Sequence, residues 1–252
     1  MLLSLFFLAC GGTGDWVLST WGEEYIEQEI PAEVFADGCS VTFDRFLVTF
    51  TERALIDAEG EVAGELPGAE VWDVHQPGPH SMGTVEVPSG HYDTVRVRIA
   101  PEAGAVGGNV DEADLALLEG GSVYVAGTLT CPSGAVGFAW TFDTDTTYAC
   151  EPEDLTIPAG GQDGSELTVH GDHLFYDGLE AEDAAVQGEA IVAADADQDA
   201  QVTLAELSAV GVAGLGYSVG QYSEVTELGA FVTFLTQTLG HIDGEGHCQV
   251  DL

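Results

Sequence analysis

The stretch Ser40–Thr51, SVTFDRFLVTFT, has a strong strand pattern. Aromatic and β-branched residues dominate it, as is typical of a strand. Phe46, Val48 and Phe50 fall on one face of the extended chain, because side chains alternate between the two faces of a strand. The stretch therefore predicts a strand with a buried face, which needs a second layer of structure to cover it.

A second stretch, Tyr92–Ile99, alternates apolar residues with Arg96 and Arg98. We expect these two arginines to meet carboxylates on the polar face of the strand. Further short segments of this kind follow, separated by turns that contain Gly and Pro. Together they predict an antiparallel β-sandwich over residues 22–172.

Charge is the most unusual feature of the composition. The chain has 252 residues, with four basic residues against 44 acidic ones and a formal net charge of −40. Nucleic acid is excluded as a partner, because its phosphates are bound by clusters of Lys and Arg. An anionic membrane surface would also repel this chain. We therefore expect membrane contact only through a lipid anchor, and the composition identifies no protein partner.

Residues 1–10 predict a secretion signal. Leu2–Ala9 is apolar but too short to span a bilayer as a helix. The segment that ends at Cys10, FLAC, resembles the cleavage box of bacterial lipoproteins, which implies that Cys10 becomes lipidated; an ordinary signal peptide is the alternative. Residues 11–21 follow as a Gly-rich tether. We therefore expect an exported lipoprotein of the outer membrane or cell surface.

The remaining four of the five cysteines predict two disulfides in an oxidising compartment. The segments on either side of Cys131 predict a hairpin that turns there. Cys150 then lies beyond the open end of the hairpin, about 25 Å away at a rise of about 3.3 Å per residue. Cys131 should therefore pair with Cys39 or Cys248. We favour Cys39–Cys131 and Cys150–Cys248.

Residues 195–206, DADQDAQVTLAE, carry oxygen ligands at a regular spacing. The stretch resembles the EF-hand calcium loop, in which side-chain and backbone oxygens surround Ca²⁺. The resemblance implies that the ligands come from Asp195, Asp197, Asp199, Gln201 (through its backbone carbonyl) and Glu206. Ala200 stands where the EF-hand loop has Gly to allow a sharp turn with positive φ. Because this conformation strains a residue with a β-carbon, we expect weak binding. The alternative is an acidic surface turn.

The flanks of this loop predict helices. The Ala-rich stretch 180–194 predicts a helix that enters the loop, and 203–210 predicts a helix that leaves it. Apolar residues at helical spacing predict a further helix over Ser223–Gly240. The expected fold class is therefore α+β, with an N-terminal antiparallel β-sandwich and a C-terminal helical EF-hand-like module. We expect that module and the tail to span residues 173–252.

Two histidine-rich segments form a second candidate site. His170 and His173 lie where the predicted sandwich ends, and His241 and His247 lie in the tail. If the Cys150–Cys248 disulfide forms, the two segments can meet. Neutral imidazoles together with a carboxylate would then bind Zn²⁺ or Cu²⁺. The alternative is that these histidines cap loops and satisfy buried carbonyl groups.

Two broader resemblances accompany these motifs. Phe43–Val48, with the pattern F-x-R-F-L-V, and Val87–Asp93, VPSGHYD, resemble periplasmic copper-linked sandwich proteins of the methanobactin-operon type. His170–Leu179, HGDHLFYDGL, and Thr238–Cys248, TLGHIDGEGHC, together with the acidic loop, resemble uncharacterised myxobacterial-type surface lipoproteins. The first resemblance implies a link to copper, and the second implies no known activity.

The sequence predicts an exported or surface-anchored calcium-binding protein with a binding or structural role, in which Ca²⁺ stabilises the C-terminal module. The alternative function is a periplasmic or surface protein that binds copper or zinc through its histidine cluster. No nucleophile elbow, phosphate-binding loop or dinucleotide-binding motif is recognisable in the sequence. We therefore do not expect an enzyme.

Overall fold

The computed structural model describes residues 11–179, 184–244, 246 and 248–251, and strands predominate among them. In the first part of the chain the strands are β1 (Thr13–Trp21), β2 (Ser40–Ile56), β3 (Val62–Glu65), β4 (Glu70–Asp73), β5 (His80–Pro88), β6 (Gly90–His91), β7 (Thr94–Ile99) and β8 (Val106–Gly107). In the second part they are β9 (Val123–Cys131), β10 (Gly134–Phe142), β11 (Thr146–Cys150), β12 (Thr156–Ile157), β13 (Gln162–Val169), β14 (Gln201–Val202), β15 (Gly240–Ile242) and β16 (Cys248–Asp251).

The helices are short by comparison. They are α1 (Glu23–Glu27), α2 (Glu112–Leu117), α3 (Glu189–Val192), α4 (Leu204–Ser208) and α5 (Leu228–Leu235). The 3-10 helices Asp172–Phe175 and Thr236–Thr238 follow β13 and α5. Leu228, Phe231, Val232 and Leu235 of α5 are buried in the core, as the predicted helix over Ser223–Gly240 required, although α5 itself has only eight residues.

Two sheets share one hydrophobic core, in the manner of a sandwich. The smaller sheet has four strands in the order β15-β13-β1-β5. The larger sheet has ten strands, with the main path β14-β10-β9-β2-β7-β11-β16 and with β3, β4 and β8 branching from it. Trp16 and Leu18 from the smaller sheet belong to the same buried cluster as Phe46 and Val48 from the larger one. The strands β6 and β12 form a separate two-stranded sheet.

The sandwich is mixed, so the prediction that it is antiparallel needs correction. β1 pairs in parallel with β13, β10 with β14, and β4 with β8. Strands that pair in parallel are joined by long connections rather than tight turns. Local periodicity shows that a segment is extended, but it contains no information on the direction in which distant strands pair. The prediction therefore failed at the long-range pairs.

β2 is the central strand of the larger sheet. It extends from Ser40 to Ile56 and pairs with β9, β7, β4 and β3 along its length. The face that carries Phe46 is buried, as the sequence predicted. Leu47 on the opposite face is buried as well, because it packs in a small cluster with Val71 and Leu118. The middle of β2 therefore has apolar contacts on both faces.

The prediction of an α+β fold with a C-terminal helical EF-hand-like module is wrong. The C-terminal part of the chain adds strands to sheets that the earlier part forms, with β14 on β10, β15 on β13 and β16 on β11. Within the described residues, the helix predicted over 180–194 is reduced to α3, and the helix predicted over 203–210 is reduced to α4.

Contacts just before α3 explain why the described residues 184–188 are not helical. Val186 forms β-bridges with Phe35 and Tyr176, which hold this stretch extended. Gly188 then lies against the disulfide, since a β-carbon at this position would be 3.0 Å from Cys39 Sγ. Alanine favours a helix by less than about 1 kcal/mol per residue over most other residues. The tertiary contacts therefore outweigh the local preference.

Residues 11–21, predicted as a flexible tether, contain β1 in the interior of the smaller sheet. β1 pairs with β13 on one side and with β5 on the other. Trp16 is 0% exposed and donates Nε1–H to Ser165 Oγ at 3.4 Å. Leu18 and Thr20 are buried in the same alternation. This alternation is typical of a strand. The tether was predicted from the Gly-rich composition of the segment, which does not take the alternation into account.

Both predicted disulfides are confirmed. Cys39 bonds to Cys131, and Cys150 bonds to Cys248. The hairpin on which the pairing argument rested consists of β9 and β10, which are antiparallel with Cys131 opposite Gly134. Because disulfides persist in oxidising compartments, the two bonds indicate an exported protein.

The predicted secretion signal at residues 1–10, including the lipidation site Cys10, lies outside the described residues. The lipid anchor and the attachment to an outer membrane or cell surface therefore stay predictions. In the part of the chain that the structure describes, no helix is both long enough and apolar enough to cross a membrane.

The arginines pair with carboxylates, as expected for Arg96 and Arg98. Arg96 Nε donates to Glu52 Oε1 at 2.6 Å, and Arg98 Nε donates to Asp145 Oδ1 at 2.7 Å. The other two arginines of the chain also form ion pairs with acidic side chains. Each arginine in the described part of the chain therefore has a carboxylate partner.

Candidate metal centre

Three histidines meet at one end of the smaller sheet. His170 directly follows β13, and His173 lies in the 3-10 helix that comes next. His241 lies in β15, opposite Thr168 of β13 in the antiparallel register. The pairing of β13 with β15 therefore brings a histidine of the tail to the two histidines at the end of the sandwich.

The three imidazoles are close enough to share one ligand. Each offers a ring nitrogen that lies within 4.8 Å of one on each of the others. The ring centroids are 4.3 Å apart for His170 and His241, 5.0 Å for His173 and His241, and 5.2 Å for His170 and His173. Two atoms bound at about 2.0–2.1 Å to a tetrahedral ion lie about 3.3 Å apart. Small side-chain rotations therefore separate this arrangement from a three-nitrogen ligand set.

His173 is buried in its neutral form. Its Nδ1 lies 2.7 Å from Thr238 O, and because a carbonyl oxygen only accepts, Nδ1 carries the proton while Nε2 keeps a lone pair. Burial, followed by the neighbouring His170, lowers the pKa of His173 from 6.5 to about 4. A neutral imidazole is the form that binds a metal ion, so His173 is ready to act as a ligand at neutral pH.

His170 has a buried ring nitrogen that the described part of the protein does not satisfy. The residue is 8% exposed, and its Nε2 has no hydrogen-bond partner among the described residues. Glu23 Oε1 lies 3.8 Å from this nitrogen, beyond hydrogen-bonding distance. A buried polar atom without a partner costs about 1–3 kcal/mol. Imidazole nitrogens suit zinc and copper, so the residues present fit a transition-metal ion.

Asp172 adds a buried carboxyl group beside the histidines. It is 9% exposed, and its Oδ2 accepts a hydrogen bond from the Tyr176 hydroxyl at 3.2 Å. The Tyr176 ring also packs on His173, with centroids 4.4 Å apart. Burial raises the pKa of Asp172, and the neighbouring His170 opposes that effect. A positive ion in the cluster would stabilise the ionised carboxylate.

Of the four histidines predicted as transition-metal ligands, the structure brings together His170, His173 and His241. His247 lies outside the described residues. The Cys150–Cys248 disulfide was expected to join the two segments, but it connects β11 with β16 in the larger sheet. The contact between the segments is made instead by β13 and β15 in the smaller sheet.

The sequence analysis missed two residues of this centre, Glu23 and Thr238. Thr238 lies in the same segment as His241, so proximity in the sequence was a usable signal for it. Glu23 is far from every histidine of the cluster in sequence, and no local motif links it to His170. Only the parallel pairing of β1 with β13 brings it there.

The acidic loop folds so that its carboxylates converge. Carboxylate oxygens of Asp195, Asp197 and Asp199 lie within 4.8 Å of one another. Ala200 has a φ of 64°, the left-handed conformation in which the EF-hand loop uses Gly. The Ala200 N–H donates to Asp195 Oδ2 at 3.1 Å. The backbone strain predicted for Ala200 is therefore present, while binding of Ca²⁺ stays a prediction.

Glu206 closes the acidic loop. Its Oε1 accepts from the Ala196 N–H at 3.2 Å, and its Oε2 accepts from the Thr203 N–H at 2.9 Å. The backbone and hydroxyl of Thr203 lower the pKa of Glu206, which keeps its carboxylate ionised. Gln201 and Val202 form β14 on β10, and Val202 is 1% exposed. The loop is therefore anchored on the sandwich rather than on a second calcium-binding loop.

Comparisons with known proteins provide little further information. No protein-family model and no curated protein matches the chain. Among solved structures, MbnP from Methylosinus trichosporium matches with a TM-score of 0.35 and 9% sequence identity, covering 65% of this chain and 77% of the MbnP chain. MbnP belongs to the methanobactin-operon class that the weaker sequence resemblance named, and no match supports the EF-hand or surface-lipoprotein resemblance. We therefore infer the function from the residues of the site.

Proposed function

We propose that this chain is an exported protein that binds a transition-metal ion, zinc or copper, through His170, His173 and His241. The observation that carries the proposal is the meeting of three imidazoles whose ring nitrogens lie within 4.8 Å of one another. Imidazole is the commonest side-chain ligand of such ions. The proposal replaces calcium binding as the main function that we infer.

The surroundings of the cluster support binding of an ion. The Thr238 carbonyl orients the His173 ring and determines which nitrogen keeps a lone pair. His170 and His173 are buried, so few water molecules can reach their ring nitrogens. Water therefore competes less with a metal ion for these nitrogens. The ligands lie on or next to paired strands, which restrict their movement. When bound, the ion supplies positive charge next to Asp172.

Metal binding by the full exported chain tests this proposal. The protein is purified without chelator for metal analysis and then stripped and titrated against a chromophoric competitor for each ion. We expect about one equivalent of zinc or copper per chain. His170→Ala and His241→Ala should each weaken binding by at least about 100-fold, because each removes one ligand.

His91→Ala is the matched control. The His91 side chain is 53% exposed and contacts Asp93 on the surface, so this variant loses one imidazole without changing the cluster. It should bind metal like the wild type. The proposal is wrong if the wild type binds neither ion with a Kd below about 10 μM, or if His170→Ala binds as tightly as the wild type.

We also propose Ca²⁺ as a ligand of the acidic loop, as a second candidate function. The specific observation in its favour is the convergence of Asp195, Asp197 and Asp199 around a residue with a φ of 64°. Glu206 and the Gln201 carbonyl would complete the oxygen set. The strain at Ala200 favours weak binding, with a Kd of about 10⁻⁴ to 10⁻³ M. Binding of Ca²⁺ at this site would stabilise the folded protein, and it would not depend on the histidine cluster.

A further inference from the structure

Glu23 lies where the chain leaves β1, beside the histidine cluster. β1 and β13 run in parallel, with Trp21 opposite Thr168 in the register. Chain segments that leave two parallel neighbours emerge at the same edge of a sheet. Glu23 leaves β1 at the edge where His170 leaves β13, and His241 lies opposite Thr168 on the other side. Glu23 and His170 therefore follow neighbouring strands at the same edge, and Glu23 lies beside His170 at the margin of the three-histidine cluster.

The Glu23 carboxylate lies next to the His170 ring. Glu23 Oε1 lies 3.8 Å from His170 Nε2, which is too long for a hydrogen bond. Two ligand atoms on one tetrahedral ion lie about 3.3 Å apart. The Glu23 side chain is 26% exposed, against 8% for His170. Glu23 therefore lies on the solvent side of the cluster, within reach of an ion that His170 binds.

The backbone at Glu23 limits where its carboxylate can reach. Glu23 has a φ of 55°, a left-handed conformation that costs free energy in a residue with a β-carbon. Gly22 before it packs so closely that a β-carbon would lie 2.3 Å from Val74 O. The close packing at Gly22 therefore restricts the backbone conformation of the turn from β1 into α1. The backbone of Glu23 consequently has a defined position relative to the cluster.

A carboxylate ligand changes the ion that the site prefers. Three neutral imidazoles suit zinc and both oxidation states of copper, whereas an anionic oxygen favours a divalent ion over the softer Cu⁺. We propose, on the basis of the proposed function, that Glu23 is the fourth ligand beside His170, His173 and His241, and that the site therefore prefers Zn²⁺ or Cu²⁺ over Cu⁺.

Affinities for Zn²⁺ and Cu⁺ test this inference in the full chain. They are measured for the wild type, Glu23→Gln and Glu24→Gln by competition with a chelator for each ion. Glu24 is the neighbouring, exposed residue, so the same substitution there is the matched control. We expect Glu23→Gln to weaken Zn²⁺ binding about 10–100-fold and Cu⁺ binding by less than about threefold. Glu24→Gln should change neither affinity.

A second variant, Glu23→Asp, distinguishes a ligand from a nearby charge. It keeps the charge but shortens the side chain by a methylene group, so a ligand role requires that Zn²⁺ binding weakens again. The inference is wrong if Glu23→Gln binds Zn²⁺ like the wild type, if it weakens both ions equally, or if Glu23→Asp keeps the wild-type affinity. Equal melting temperatures of the metal-free proteins establish that all of them are folded. A wild type that binds neither ion contradicts the proposed function, whereas binding unaffected by Glu23→Gln contradicts only the role of Glu23.

Discussion

The metal-free protein should lose stability in mildly acidic solution because of His173. In the folded chain its imidazole is 8% exposed, lies 5.2 Å from the ring of His170, and donates Nδ1–H to Thr238 O. A proton on this ring would place a charge in a buried site. We therefore predict that the free energy of unfolding falls between pH 7 and pH 4.5, and that the substitution His173→Gln removes most of this fall.

The direction and size of the effect follow from the pKa of His173. The ordinary pKa of a histidine is 6.5, and burial lowers the pKa of His173 to about 4 in the folded protein. Because the unfolded chain takes up the proton more readily, the stabilising contribution is present above about pH 6.5 and is lost as the pH falls towards about 4. At about 1.4 kcal/mol per unit, the full contribution is about 3 kcal/mol, of which about 2 kcal/mol is lost between pH 7 and about pH 4.5.

Asp172 acts in the opposite direction. Its pKa is raised by burial in the folded protein, so its protonation favours the folded state as the pH falls. Both the wild type and His173→Gln retain Asp172. Its contribution therefore largely cancels in the difference between their free energies of unfolding. Gln is a suitable replacement for His173, since its amide can still donate to Thr238 O but it takes up no proton in this range.

Urea unfolding in the presence of a chelator measures the effect at pH 7 and pH 4.5. The wild type should lose about 2 kcal/mol more than His173→Gln over this range. His91→Gln, the same substitution at an exposed imidazole, should behave like the wild type. Equal losses of stability in the wild type and His173→Gln, or an imidazole signal of His173 that titrates near its ordinary pKa, would contradict the prediction.

Three further predictions concern melting temperature and unfolding. A hundredfold excess of Zn²⁺ over Kd should raise the melting temperature by about 5–10 °C, and His241→Ala should abolish that shift. Millimolar Ca²⁺ should raise the melting temperature more than equal Mg²⁺, with Glu206→Gln removing the effect and Ala200→Gly enlarging it, because Gly relieves the strained turn. Replacing Cys150 and Cys248 by Ser should lower the free energy of unfolding by about 4 kcal/mol, since the bond closes a loop with a sequence separation of 98.

Each of these predictions has an outcome that contradicts it. A zinc-induced shift that persists in His241→Ala would place the ion elsewhere in the protein. A calcium-induced shift no larger than that from NaCl at matched ionic strength would leave the acidic loop as a surface turn. An unchanged urea midpoint after removal of the Cys150–Cys248 bond would show that the bond does not constrain the unfolded chain.

Local patterns in the sequence were sufficient for much of the larger sheet. The alternation around Phe46 predicted β2, and the alternation around Arg96 predicted β7 together with its carboxylate partners. The hairpin of β9 and β10 excluded a bond between Cys131 and Cys150, and the favoured pairing was confirmed. These features depend on periodicity and on short-range geometry, both of which are present in the sequence itself.

The C-terminal part shows where local patterns fail. Its Ala-rich segment favours a helix, yet Val186 is held extended by β-bridges and Gly188 is packed against a disulfide. The EF-hand spacing correctly anticipated a left-handed residue at Ala200, because the turn is local. It did not anticipate short flanking helices, since their length depends on contacts with the sandwich.

The residue types available for a metal centre can be read directly from the sequence, including the pair His170 and His173 on either side of a short turn. Which of the remaining candidates join them depends on how distant strands pair. The pairing of β15 with β13 places His241 beside them, and the parallel pairing of β1 with β13 places Glu23 next to His170. Such pairings between distant strands are selected by burial of the whole core, which no local stretch of sequence encodes.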